Sequence, residues 1–106
     1  MSHPNSPHVT SKYLSNFQGK TVRVIGKVGQ KQGTSVLLYT TDNGQIWVDR
    51  SKNLQKDYTS PIVEILGTYQ NNSLTEIEFL DLSENFDFEL YNQMVDLSYQ
   101  LKDIFF

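Results

Sequence analysis

The sequence contains no cysteine, which rules out a disulfide scaffold, a thiolate nucleophile and any cysteine-built zinc or iron–sulfur centre. Long apolar runs are also missing. Nothing approaches the ~20 residues a spanning helix requires, and no charged region leads into an apolar one at the N-terminus as in a secretory leader. A soluble, intracellular chain with no membrane partner is expected. Histidine is confined to His3 and His8 near the N-terminus, and no Ser/His/Asp set, paired-carboxylate motif, phosphate loop or metal-ligand spacing occurs. Catalytic residues, a metal, a cofactor and a small-molecule substrate are therefore not expected. Excess positive charge is absent as well. A net charge of −3 and a pI near 5.2 speak against a stand-alone module that holds nucleic acid mainly by neutralising phosphates.

What is there suffices for one small core. The 106 residues include 38% hydrophobic side chains, among them six Phe, six Tyr and one Trp, well above compositions that stay disordered. The charges are divided along the chain. Residues 1–60 carry eight Lys or Arg against three Asp, a balance of +5, whereas residues 61–106 carry Lys102 against nine carboxylates, a balance of −8. Fields of opposite sign can face different partners, although a solvated surface with clustered charges reads the same way.

Residues 1–10 hold Pro4, Pro7 and no apolar period, so they read as a flexible arm. Residues 11–85 read as short strands separated by turns. KTVRVIGKVGQK (Lys20–Lys31) is rich in β-branched residues, with Gly26 placed for a bulge or bend. SVLLYTT (Ser35–Thr41) and QIWVD (Gln45–Asp49) flank Asp42-Asn43-Gly44, whose Asn-Gly step suits a tight hairpin. After the polar stretch Arg50–Ser60, IVEILGTY (Ile62–Tyr69) and LTEIEFLDL (Leu74–Leu82) flank Asn71-Asn72-Ser73, a sequon that reads as a turn. Five strands with a glycine in the long first one fit a Greek-key barrel of the OB type better than a sandwich, which usually needs about seven.

Residues 86–106 change period. Leu90, Met94, Leu97, Leu101 and Ile104 are spaced 4, 3, 4 and 3, a helical stripe in heptad rhythm. Asp87 is placed as N-cap, Glu89 in the first turn, and Phe86 and Tyr91 as a hydrophobic staple. Phe105 joins the stripe, and Tyr91, Val95, Tyr99 and Phe106 widen it to roughly twice the ~100° an ordinary surface helix buries; Asn92, Gln93, Asp96 and Gln100 lie on the polar side. Two readings remain open: the helix plugs the barrel deeply, or it is an oligomerisation helix. The second names Leu90, Tyr91, Met94, Val95, Leu97, Leu101, Ile104 and Phe105 as a partner interface in a helical bundle.

OB barrels bind single strands or sugars across strands 2 and 3, with aromatics under bases and cations along phosphates. Alternation that turns Ile46 and Val48 inward sends Trp47 outward, and Tyr39 on the neighbouring strand can share its face. Arg23, Lys27, Lys31 and Arg50 sit on or beside those strands, which makes the six residues candidates for nucleic-acid contact. The competing reading has Trp47 packed under the Arg50–Ser60 loop and Tyr39 as an ordinary packing residue.

Three motifs in this order, GKTVRVIGK (Gly19–Lys27), Asp42-Asn43-Gly44 and FDFELYNQMV (Phe86–Val95), resemble the small subunit of replication protein A, the heterotrimeric eukaryotic single-stranded-DNA-binding complex. The likeness spans nearly the whole chain and includes the terminal Phe105-Phe106 of fungal members. It implies a non-enzymatic nuclear scaffold, active in DNA replication, repair and recombination. Its partners would be the large and middle subunits, joined through a three-helix bundle, with single-stranded DNA held mainly by the complex. A Ten1-like subunit of a telomere-capping complex shares the barrel-plus-helix plan, and a stand-alone OB module is a third class. Trp47 stands outside the motifs that carry the resemblance.

Overall fold

The computed structural model describes residues 6–101. Five strands close into a barrel in the order β1-β2-β3-β5-β4: β1 Thr21–Gln32, β2 Ser35–Thr40, β3 Gln45–Asp49, β4 Ile62–Gln70 and β5 Ser73–Leu82. A 3₁₀ helix, Ser11–Phe17, precedes β1, and α1, Phe88–Gln100, follows β5. The fold is the expected all-β barrel of the OB type with one C-terminal helix.

Closure depends on β1 and β3. The first strand pairs antiparallel with β2 and with β4, and the third pairs parallel with β5 from Trp47↔Ser73 to Asp49↔Thr75. Of the bulge or bend expected at Gly26, the bulge does not form: Gly26 pairs regularly with Thr40 on one side and Val63 on the other, where β1 passes from β4 to β2, and a Cβ there would run into the Tyr39 carbonyl oxygen and stand 2.8 Å from Leu38 Cγ. The bulge comes later: Gly29 and Gln30 oppose Leu37, between the pairs Val28↔Leu38 and Lys31↔Val36. The turns behave as their residues predict. Asn43 holds φ 67°, and Asn71 and Asn72 hold φ 53° and 62° in the two-residue loop between β4 and β5.

Inward side chains from all five strands fill the barrel, with Val22, Val24, Val36, Leu38, Ile46, Val48, Val63, Ile65 and Leu74 at its centre. Residues 7–10 of the expected flexible arm are fixed to the barrel, and residues 1–5 lie outside the described residues. His8 bridges to Arg23, Val9 is fully buried in the core and Thr10 is nearly so, since the backbone from Pro7 to Val9 hydrogen-bonds to both polar groups of Arg23. A single apolar residue between two polar ones carries no periodic signal, yet one buried Val is enough to fix the segment.

The 3₁₀ helix, which no sequence pattern announced, closes one end of the barrel with Leu14 in the core. Its start has no cap of its own; Asp42, in the hairpin turn, supplies one. The Asp42 carboxylate accepts from Ser11 N (3.1 Å), Lys12 N (3.0 Å), Ser11 Oγ (2.9 Å) and Thr40 Oγ1 (2.7 Å). Partial burial pushes the carboxyl pKa up, but the hydrogen bonds together outweigh it and hold it below the ordinary value. The ionised form is thus favoured by folding. Asp42→Ala should cost about 1 to 2 kcal/mol near neutral pH, as for a lost cap partly open to water. That difference is present above the unfolded-state carboxyl pKa of about 3.9 and vanishes as pH falls through the depressed folded value. Paired thermal melts of the two proteins between pH 7 and 3 check both size and direction.

Candidate functional site

The start of α1 follows its sequence signals. Asp87 Oδ1 accepts from Leu90 N at 3.0 Å, Glu89 lies in the first turn, and the Phe86 and Tyr91 rings meet edge to face at 5.7 Å. The helix then lies against the barrel through a face where Asn92 and Asp96, expected on the polar side, stand beside Tyr91, Val95 and Tyr99 of the apolar arc. Asn92 bonds twice to Thr41, its Nδ2 donating to the Thr41 carbonyl (2.6 Å) and its Oδ1 accepting from Thr41 Oγ1 (2.5 Å). Asp96 accepts from the Tyr13 hydroxyl at 2.6 Å, and Lys12 lies 3.6 Å away. Tyr99 stacks on Tyr13 with ring centroids 4.2 Å apart, and its hydroxyl donates to the His8 carbonyl. The Asp96 hydrogen bond, aided by burial, pushes the Tyr13 pKa up to about 12.

Two residues expected at a partner interface belong to this inner side. Val95 is 4% exposed, and the Tyr91 hydroxyl hydrogen-bonds to His8 Nδ1 at 3.0 Å. Burial, then the nearby Glu64 carboxylate, raise the Tyr91 pKa. Val95 is therefore removed from the candidate interface, because this chain's own barrel already covers it, whereas Tyr91 is half-buried and also lines the cleft beside α1.

The opposite face is different in kind. Leu90, Met94 and Leu97 are 52%, 61% and 51% exposed, and Leu101 is half-buried. Ile104 and Phe105 lie outside the described residues. The helix thus fastens itself with a mixed polar and aromatic side and presents its most aliphatic side outward, the reverse of an ordinary surface helix. The bare stripe continues into a cleft of about 510 Å³ between α1 and the barrel wall, where Leu90 and Met94 face Ile25, Leu82 and Phe86.

The six candidate nucleic-acid residues separate into three groups. Arg50 is buried and unavailable. It is 5% exposed, its Nε donates to both carboxylate oxygens of the fully enclosed Glu76 (3.3 and 3.1 Å), and its guanidinium lies 4.1 Å from the Tyr58 ring centroid. Asn53 Nδ2 and the Tyr58 hydroxyl also donate to Glu76, so the Arg50–Ser60 loop is wound around this ion pair. Burial first, and then the hydrogen bond to Glu76, push the Tyr58 pKa up. Arg23 bonds Glu64 at 3.2 Å on the wall near α1, away from β3. Lys31 is exposed but leaves the Tyr39 face, because the bulge moves it into register with the inward Val36. Lys27, Tyr39 and Trp47 remain together: Lys27 pairs with Tyr39, and Trp47 pairs with Leu37 on the same outer face.

The chain matches the family model described as "Replication factor A protein 3" over residues 1–105. It belongs to that family, the small subunit of replication protein A. Replication factor A protein 3 of Schizosaccharomyces pombe is 24% identical over 101 residues, covering 95% of each chain. Among solved structures, a chain of Ustilago maydis replication protein A bound to single-stranded DNA superposes with a TM-score of 0.79 at 24% identity, covering 94% of each chain. The S. pombe telomere-capping protein Ten1 reaches a TM-score of 0.75 at 14% identity, covering 91% of this chain and 99% of that one. At that identity the Ten1 likeness is one of fold. Replication factor A protein 3 is a DNA-binding scaffold family working in a complex with other subunits, and an outward aliphatic helix suits that setting.

Proposed function

We propose that the chain is the non-enzymatic scaffold subunit of a nuclear, heterotrimeric replication protein A, joined to the large and middle subunits through a three-helix bundle built on α1. The observation that carries this reading is the Leu90–Met94–Leu97 stripe, half exposed on a helix whose other side is already fastened to the barrel. Leu101 extends the same 4, 3, 4 spacing, which suits left-handed packing against neighbouring helices. An exposed aliphatic stripe in a folded chain is stabilised by whatever removes it from water, at roughly 25 cal/mol per Å². The complex would hold single-stranded DNA mainly through its larger subunits, with this barrel as structural support in replication, repair and recombination.

Co-expression with the large and middle subunits tests it. The triple variant Leu90→Asp, Met94→Asp, Leu97→Asp should reduce recovery of the complex by a factor of about 100 or more, because carboxylates would be buried in an apolar seam. The variant's own barrel should melt within a few degrees of the parent, since the three side chains already face water. An intact complex with the triple variant would overturn the proposed interface.

A further inference from the structure

The hairpin turn between β2 and β3 carries Asn43-Gly44, the one Asn-Gly step in the sequence. Such a step can react with itself. A glycine has no side chain to shield its amide nitrogen, which can therefore reach the Cγ of the preceding carboxamide and close a five-membered ring. Asn43 is exposed, so water has access to its side chain. The turn nevertheless holds the two reacting groups in one arrangement. Gly44 N donates to Thr40 Oγ1 at 2.9 Å, the Gly44 carbonyl accepts from Thr40 N at 2.9 Å, and Asn43 N donates to the Thr40 carbonyl at 3.2 Å. Thr40 is 3% exposed, and its hydroxyl donates to Asp42 Oδ1, so the oxygen that receives the Gly44 N–H is itself fixed. On its other side Gly44 lies so close to Ser11 that a Cβ would run into the Ser11 hydroxyl. The same turn supports two further elements: Asp42 caps the 3₁₀ helix, and Thr41 bonds twice to Asn92 of α1.

We infer that Asn43 is a site of spontaneous deamidation, held in check by Thr40, whose conversion unfastens α1. The Gly44 nitrogen loses its proton and bonds to Asn43 Cγ, the Cγ–Nδ2 bond breaks, and the departing amide group takes up a proton to leave as ammonia. Water then opens the succinimide at either carbonyl, giving aspartate or, with the main chain rerouted through Cβ and Cγ, isoaspartate. The bond from Gly44 N to Thr40 opposes the first step, because it must break before the nitrogen can turn toward Cγ; one hydrogen bond of ordinary net strength slows the reaction about two- to ten-fold. Isoaspartate lengthens the backbone by one methylene in a turn whose register is set by three bonds to Thr40. It also adds a carboxylate next to that of Asp42, and the like charges repel. The cap on the 3₁₀ helix and the Thr41–Asn92 pair then lose their common support. None of these steps requires a partner subunit.

The test ages the full chain in mildly alkaline buffer, folded and in concentrated urea, and follows conversion at Asn43 by peptide mapping of aspartate and isoaspartate. The folded chain should convert about ten-fold or more slowly than the unfolded one, since reaction waits on opening of the turn. Thr40→Val should convert about two- to ten-fold faster than the parent, whereas Thr40→Ser, which keeps the hydroxyl, should stay close to it. The isoaspartyl product, separated by its added charge on ion exchange, should show faster amide hydrogen exchange throughout α1 than the unaged chain. Comparison of the folded and unfolded parent needs no variant and keeps the test decisive if Thr40→Val does not fold. Equal rates in the folded and unfolded parent, or a folded Thr40→Val chain no faster than Thr40→Ser, would overturn the protection by Thr40. Unchanged exchange in α1 of the isoaspartyl product would overturn the coupling to the helix.

Discussion

Replacing Glu76 by alanine should destabilise the chain by about 3 to 5 kcal/mol, a large part of the 5 to 15 kcal/mol typical of a small domain. Glu76 is fully enclosed on β5 and receives Arg50 Nε, Asn53 Nδ2 and the Tyr58 hydroxyl. Without the carboxylate, a guanidinium 6% exposed keeps its charge but loses its main partner; Asp57, at 3.7 Å, is itself 82% exposed and cannot replace it. The melting temperature should fall by about 15 °C or more, read by thermal unfolding. Arg50→Ala should cost nearly as much by stranding Glu76. The double variant Arg50→Met, Glu76→Leu should be less damaging than either single alanine change, because no unpaired charge is then buried. A double variant whose loss equals the sum of the two single losses would show that the two side chains do not act as a pair. The effect should be greatest in the Arg50–Ser60 loop, since Arg50 also donates to the carbonyls of Asn53 and Lys56.

Gly26→Ala should cost about 3 kcal/mol, near the upper end for a single added methyl, with valine at that position worse. The clash is with the Tyr39 backbone oxygen and with Leu38, a fully buried residue. A flexible side-chain tip could yield, whereas a carbonyl inside a ladder cannot move without opening the register. Gly26 is paired on both edges, to Thr40 and Val63, so a shift toward β4 would disturb a second ladder. Urea unfolding of Gly26→Ala should show a lower midpoint with an unchanged slope. Gly33→Ala offers a contrast: its Cβ would meet nothing within 4 Å, but its φ of +62° is strained for alanine, so its loss should come from backbone conformation and not from packing.

Strand period, turn chemistry and heptad spacing made the barrel and the helix legible in advance, because each is a local property of consecutive residues. All five strands begin within a residue of their expected starts, and Asp87 caps the helix as its position suggested. What stayed hidden depends on pairs far apart in sequence. Asn92 reads as a solvent residue until Thr41, 51 positions away, is placed beside it. Arg50 counts as a surface cation until Glu76 encloses it, and Asp42 reads only as a turn residue until Ser11 and Lys12 bring their backbone groups to it. Lys31 left the expected face because a bulge of one residue reverses side-chain direction, and β-branched composition does not report where an extra residue is accommodated.

The fastening of α1 has a kinetic corollary. Thr41 in the hairpin turn, Tyr13 in the 3₁₀ helix and His8 ahead of it each hold the helix, so its direction is fixed by the monomer's own folding. The conformational entropy of ordering that segment is then lost when the barrel folds and not at encounter. In the proposed assembly, association through Leu90, Met94 and Leu97 would be close to a rigid-body event. Its rate would be limited by orientation of two preformed ridges, and partner exchange would be governed by how slowly those ridges separate.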